Sequence, residues 1–223
     1  MRNRVNAMKI AMFWAQGESG SSLLAKFVDA GSFVYLYGDA AADVRCDSGN
    51  YELQPGAPAD EGAIEHVIAK ADLVVCSVPA GIYQGKKKDV STPYADSLTC
   101  ILHGMKACGK SRIFLALPVI EEDGDEKHFI RSFCNFFRKV RPHGYRDSRK
   151  CYDELLESGT EYTVIRYFNP YLKKAKGGYT FAEVSGKIRA GISAENLAQC
   201  LFDTVTSDGY KMKMPIAYNS QQS

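Results

Sequence analysis

The feature that most constrains this chain is residues 8–38. There an apolar run, Ile10 to Trp14, meets a small-residue turn carrying Gly17 and Gly20, and a helical pattern then puts Leu23, Leu24, Phe27 and Val28 on one face. Gly31 closes the helix, and a second apolar run, Phe33 to Tyr37, follows. Strand, glycine turn, helix and strand within about 30 residues form the βαβ unit, which sets a helix N-terminus, with its free N–H groups and positive dipole end, against a ligand phosphate.

The rest of the chain repeats the alternation. Short runs at Tyr51 to Gln54, Leu73 to Val78, Ile113 to Leu117 and Tyr162 to Tyr167 read as strands. Residues 61–70, the stretch from Pro93 to a stop at Gly109, residues 129–141, Cys151 to Glu157 and a stretch capped by Ser193 read as helices. Residues 179–184 and 187–189 are expected to make a short late strand or hairpin. With no internal repeat of fixed period, the pattern predicts a doubly wound α/β fold with a parallel sheet covered on both faces. Residues 1–7 read as a loose tail, and residues 8–223 as one domain with a small C-terminal region on the substrate side.

Composition excludes several classes. Apolar residues are 45% and charged residues 24%, as in an ordinary soluble globule. A net charge of +2 argues against nucleic acid or an anionic membrane as partner. The seven cysteines are odd in number and set in apolar patterns such as Val74-Val75-Cys76, so they read as reduced core residues of a cytoplasmic protein. No apolar stretch reaches the roughly 18 residues that a membrane span requires. The four histidines lack metal-ligand spacing, and neither a P-loop Gly-Lys-Ser/Thr nor a Gly-x-Ser-x-Gly elbow is present, so no metal and no hydrolase is expected. The triple Lys86 to Lys88 reads as a solvated loop or, less readily, as a phosphate contact if that loop folds over a cofactor. The acidic residues 121–126 read as a solvated loop, and Phe129, Phe133, Phe136 and Phe137 as a buried helix face or, less readily, an aromatic cover for a ligand.

Four segments resemble one family, the atypical short-chain dehydrogenase/reductases of the NmrA-like, NAD(P)-binding group. The segment from Met8 to Gly20 is similar to that family's strand followed by Gly-Ala-Thr-Gly-x-x-Gly. The segment from Ala71 to Ser77 looks like its fourth strand. The stretch from Leu155 to Tyr167 resembles its Ser-Gly-Leu-x-Tyr-Thr-Ile-Val-Arg-Pro, and Ile192 to Ala198 its Ile-Ser-Arg-x-Asp-Val-Ala. The resemblance covers roughly residues 8–206 and implies a Rossmann fold that binds NAD or NADP.

Carried over position by position, Gly17 and Gly20 match the second and third glycines, while the first falls on Trp14. That glycine serves the tight turn, and its positive-φ geometry would cost a tryptophan about 1 to 3 kcal/mol. The resemblance assigns cofactor contacts to Trp14, Gln16, Gly17, Ser19, Gly20, Ser21, Asp39, Val78, Pro79, Leu117, Tyr167 and Asn169. Asp39 would read the adenosine ribose and favour NAD over NADP, since a carboxylate accepts from ribose hydroxyls and repels a 2′-phosphate. Tyr145 and Arg149 have the spacing of the catalytic Tyr-x-x-x-Lys with Arg in the lysine position, and Lys150 lies one further on. Arg binds ribose oxygens but stays protonated, which makes it a poorer relay member. Tyr145 reads as the proton donor or, more simply, as a turn tyrosine. The expectation is an NAD(P)-dependent oxidoreductase acting on a small organic or flavin-like acceptor. The alternative is a non-catalytic dinucleotide sensor or scaffold; a homodimer stays open.

Overall fold

The structure, a computed structural model, describes residues 8–15, 17–38, 46, 49–77, 92–120, 128–168, 177–182 and 191–220. Its centre is strand β1 (Lys9–Phe13), flanked on one side by β2 (Phe33–Gly38) and β3 (Tyr51–Pro55). On the other side lie β4 (Leu73–Cys76), β5 (Arg112–Pro118) and β6 (Glu161–Tyr167). All five pairings are parallel, with Ile10 opposite both Val34 and Leu73. The doubly wound fold expected from the sequence is therefore present. The interior strands are buried on both faces, which is why they read as continuous apolar runs rather than alternating ones.

Helices cover both faces. α1 (Gly17–Asp29) and α6 (Ala194–Thr206) pack together on one, burying Leu23, Leu24, Phe27, Leu197 and Leu201 against Ile10, Met12 and Val75. α2 (Glu61–Ala69), α3 (Pro93–Ala107) and α5 (Pro142–Glu157) cover the other, over Phe13, Val74 and Leu115. Each fully buried Leu or Phe contributes about 1.5 to 3 kcal/mol. α4 (His128–Val140) packs on α5. Asp60 and Ser193 cap α2 and α6 by accepting from the Ala63 and Asn196 amides at 3.1 and 3.2 Å.

Two elements depart from the sequence reading. α5 starts at Pro142 rather than at Cys151, so Tyr145 and Arg149 are helical. Proline is at home in a helix's first turn, and burial of Asp147 and Ser148 holds a stretch whose polar composition hid its periodicity. Residues 212–216 run parallel to β6, where the amides of Val164 and Arg166 donate to the carbonyls of Lys213 and Pro215 at 3.1 and 2.9 Å. The chain then forms β8 (Ala217–Asn219), antiparallel to β7 (Tyr179–Phe181). Five of the seven cysteines are buried and none is in a disulfide. Among the described residues, no helix is long and apolar enough to cross a membrane.

Candidate functional site

The sheet order reverses beside β1: β2 and β3 lie to one side and β4 to β6 to the other. In open α/β sheets ligands settle at this point, outside the carboxyl ends of the strands. Here that place holds the turn between β1 and α1. Gly17 takes φ 76°, in the left-handed region open to glycine. Gly20, in the first turn of α1, is buried where the helix meets the backbone of the turn before it, and a Cβ there would fall inside the van der Waals shell of the Ala15 carbonyl. The first amides of α1 have no partners within the helix, so the positive end of its dipole opens onto this turn. Ser19 is buried beside Gly20 and Ser21 is half-buried.

Trp14 closes the other side of the turn. Its backbone lies at φ 58°, so the positive-φ geometry of the glycine position is kept by a residue that bears a Cβ. The indole is 9% exposed. Its Nε1–H donates to Ser97 Oγ at 3.2 Å, and the Tyr94 ring meets it edge to face with centroids 5.6 Å apart. Next to it opens a cavity of about 370 Å³, within the range of roughly 300 to 1,000 Å³ typical of small-molecule sites. The described lining comes from the end of β1 (Phe13, Trp14), the end of β2 (Leu36, Tyr37, Gly38), the turn after β3 (Gly56, Ala57, Pro58) and the start of α3 (Pro93, Tyr94, Ser97). The indole is therefore a wall of the cavity and leaves it open.

The remaining walls are fixed by specific contacts. The Tyr37 hydroxyl donates to the Ala57 carbonyl at 2.8 Å, and the ring lies so close over Gly56 that no side chain fits there. Burial, with Asp60 and Cys100 nearby, pushes the Tyr37 pKa up, so this hydroxyl keeps its proton. The start of α3 is held from α5: Asp147 accepts from the amides of Ala95 and Tyr94 at 2.8 and 3.3 Å. Burial raises the Asp147 carboxyl despite these two bonds. On the exposed side of the junction Lys150 pairs with Asp96 at 2.8 Å, which lowers the Asp96 carboxyl and raises the ammonium.

The other residues singled out in the sequence are placed differently. Leu117 and Tyr167 are fully buried at the ends of β5 and β6. Tyr145 packs edge-on against Phe137 at 5.8 Å, half-buried between α4 and α5. Arg149 lies on the outer flank of α5, where its Nε donates to Asp153 at 3.1 Å, and it lines a separate cavity with Tyr162 and Arg166. Neither of the two lines the Trp14 cavity among the described residues. Phe133 and Phe137 pack on each other and Phe133 on Phe168, the buried-face arrangement, while Phe136 turns outward. Gln16, Asp39, Val78, Pro79, Asn169 and the triple lysine 86–88 lie outside the described residues. No group of three or more metal-ligating side chains occurs among the described residues. Ser97, Gly56 and Asp147 are the site residues that the sequence did not reveal. The one available signal was a lone tryptophan whose indole N–H needs an acceptor when buried.

Comparison with known proteins agrees with this geometry. The model of a family described as NAD(P)H-binding matches residues 15–208. No curated protein matches the sequence. Among solved structures, a short-chain dehydrogenase/reductase of Veillonella parvula in complex with NADP superposes with a TM-score of 0.75 at 15% identity, covering 95% of this chain and 94% of that one. An oxidoreductase of Lactococcus lactis gives 0.72 at 14% identity, covering 97% and 93%. An anaerobillin reductase of Escherichia coli gives 0.67 at 13%, covering 96% and 98%.

Proposed function

Because the chain belongs to the NAD(P)H-binding family that its residues 15–208 match, we propose that it is an NAD(P)-dependent oxidoreductase of the atypical short-chain dehydrogenase/reductase type. The observation that carries this reading is the junction of Gly20, which leaves no room for a side chain beside Ala15, with an open cavity lined by Trp14 and Ala15, the residues that lead towards α1. The free backbone amides that open α1, those of Gly17 and Ser19, hold the paired phosphates, with Gly20 and Ser21 alongside in the same turn. The Trp14 cavity takes the adenosine, and the nicotinamide side falls towards the carboxyl ends of β5 and β6, where Leu117 and Tyr167 sit in the core. The bound nicotinamide supplies hydride chemistry; the chain contributes orientation and a dry cleft. A small organic or flavin-like acceptor fits this division of labour, and the reductases among the structural neighbours support it.

NAD is the preferred cofactor in this reading. Asp39 follows the last residue of β2 in sequence, and no described residue lining the cavity is charged, so the described lining does not neutralise a 2′-phosphate. NADH is expected to bind at least about tenfold more tightly than NADPH, since one unmatched charged group readily costs about 1.4 kcal/mol. Equal affinities would remove the preference.

A second reading, a dinucleotide-binding sensor or scaffold, is favoured by one observation. Tyr145 and Arg149 are engaged with Phe137 and Asp153 rather than gathered at the cavity. Turnover of NADH with a panel of quinones, flavins and aldehydes separates the two readings. Turnover supports the enzyme, and binding without turnover supports the sensor. Failure of the protein to bind either dinucleotide at millimolar concentration would end both.

A further inference from the structure

Trp14 occupies a backbone position where a Cβ is strained, at φ 58°, and such strain persists only where the surroundings over-determine it. Two contacts do so here. Ser97 on α3 accepts from the indole N–H at 3.2 Å, which fixes the ring's rotation. Tyr94 stands against the indole at 83°, so the two rings form a corner rather than a stack. Both rings line the cavity. Across from them stand Ala57 and Pro58, with Tyr37 held by its bond to the Ala57 carbonyl. An apolar slot with two aromatic walls and no charged residue in its described lining suits a flat uncharged ring, and suits a phosphate or carboxylate poorly.

We infer that Trp14 is a specificity determinant of this site: a purine base stacks in the Trp14–Tyr94 corner, and affinity for the dinucleotide resides in its adenosine half. Ser97 is then a positioning residue that acts through the indole. The inference rests on the reading of this cavity as a nucleotide site, and it goes further by giving a role to the one residue that departs from the glycine pattern. An indole that obstructed the base would make the opposite demand on the same variants: its removal would tighten AMP binding.

The test uses AMP and nicotinamide mononucleotide as separate probes, with NADH as reference, each titrated by calorimetry and by emission of the sole tryptophan. AMP is expected to bind and quench Trp14 emission, while nicotinamide mononucleotide at the same concentrations does neither. Trp14→Gly removes the indole and the backbone strain together, and it is expected to weaken AMP and NADH by at least about tenfold, the size of one base–aromatic stack. Trp14→Phe keeps a ring and is expected to retain most of the affinity. Ser97→Ala is expected to weaken AMP about threefold, as loss of one modest hydrogen bond would, and to shift the emission to the red. Ser97→Thr restores both. Tighter or unchanged AMP binding in Trp14→Gly, or equal binding of the two half-probes, would overturn the inference while NADH binding by the wild type left the proposed function standing. Loss of NADH binding in the wild type itself would instead sink the proposed function, and the inference with it.

Discussion

The two halves of the sheet's carboxyl end are built on different terms. Around β1, β2 and the start of α3, the chain accepts costs that packing alone does not require. A tryptophan sits at positive φ, a helix starts so close to the turn before it that only glycine fits, and a cavity of about 370 Å³ stays open between aromatic walls. Around α4, α5 and β6 several polar groups are engaged with the protein itself. The buried Tyr152 hydroxyl donates to the Pro118 carbonyl at 3.0 Å, Arg149 pairs with Asp153, and Tyr145 packs against Phe137. The second region has a cavity of its own, lined by Arg149, Tyr162, Arg166 and the positive-φ Met212, but it lies by the edge strand β6. Aromatic walls, a glycine-only junction and a place at the switch point of the sheet are what set the first region apart.

The contrast can be broken by mutation, and the largest effect is expected at Gly20. Gly20→Ala drives a Cβ into the Ala15 carbonyl, which is backbone and cannot step aside, so urea unfolding should show a loss of about 3 kcal/mol. Dinucleotide binding should fall with it. A variant as stable as wild type would mean that α1 can slide away from the Ala15 backbone, and the tight junction would lose its meaning.

Asp147 links the two regions, and its effects should be intermediate. Asp147→Ala strips the carboxylate from the Tyr94 and Ala95 amides and is expected to cost about 1 to 2 kcal/mol, as the loss of a helix cap does. The pH dependence has a definite sign. The folded carboxyl is raised above its ordinary 3.8, so its contribution to stability is complete below that value and is lost as pH rises through the folded pKa. Asp147→Asn should remove this component from unfolding curves measured between pH 3 and pH 7, and an unaltered profile would assign the titration elsewhere.

The smallest effects belong to the scaffold side. Arg149→Ala should change stability by no more than about 0.5 kcal/mol, because its ion pair with Asp153 is half-exposed and surface pairs contribute little. If the protein turns over NADH, Tyr145→Phe is expected to change the rate less than about threefold, for loss of a hydroxyl outside the cavity removes little transition-state stabilisation. A hundredfold drop in either variant would move the chemistry to α5 and erase the contrast.

Most of the fold was legible because it rests on periodicity. The buried strands announced themselves as apolar runs, the helices as four-residue spacing, and Gly31, Gly109 and Ser193 as stops and caps with the conformations or bonds expected of them. The glycine pair at 17 and 20 likewise pointed to the turn before α1. What stayed hidden depends on partners distant in sequence. Nothing local tells that Asp147 caps a helix 52 residues earlier, or that Ser97, 83 residues from Trp14, holds its indole. The first half of α5 and the segment along β6 were missed because their residues are polar or mixed, and tertiary pairing rather than pattern decides their conformation. The spacing of Tyr145 and Arg149 was readable, but spacing on a helix does not say what each side chain faces.

The central claim is that the amides opening α1 grip a dinucleotide beside Trp14. Amide and indole N–H resonances recorded while NADH is added report on it directly. Gly17, Ser19, Gly20, Ser21 and the Trp14 indole are expected to shift together along one binding isotherm, with Tyr145 and Arg149 little affected. Resonances of the α1 turn that stay in place while NADH binds elsewhere, or no shift at any site at millimolar NADH, would contradict the account.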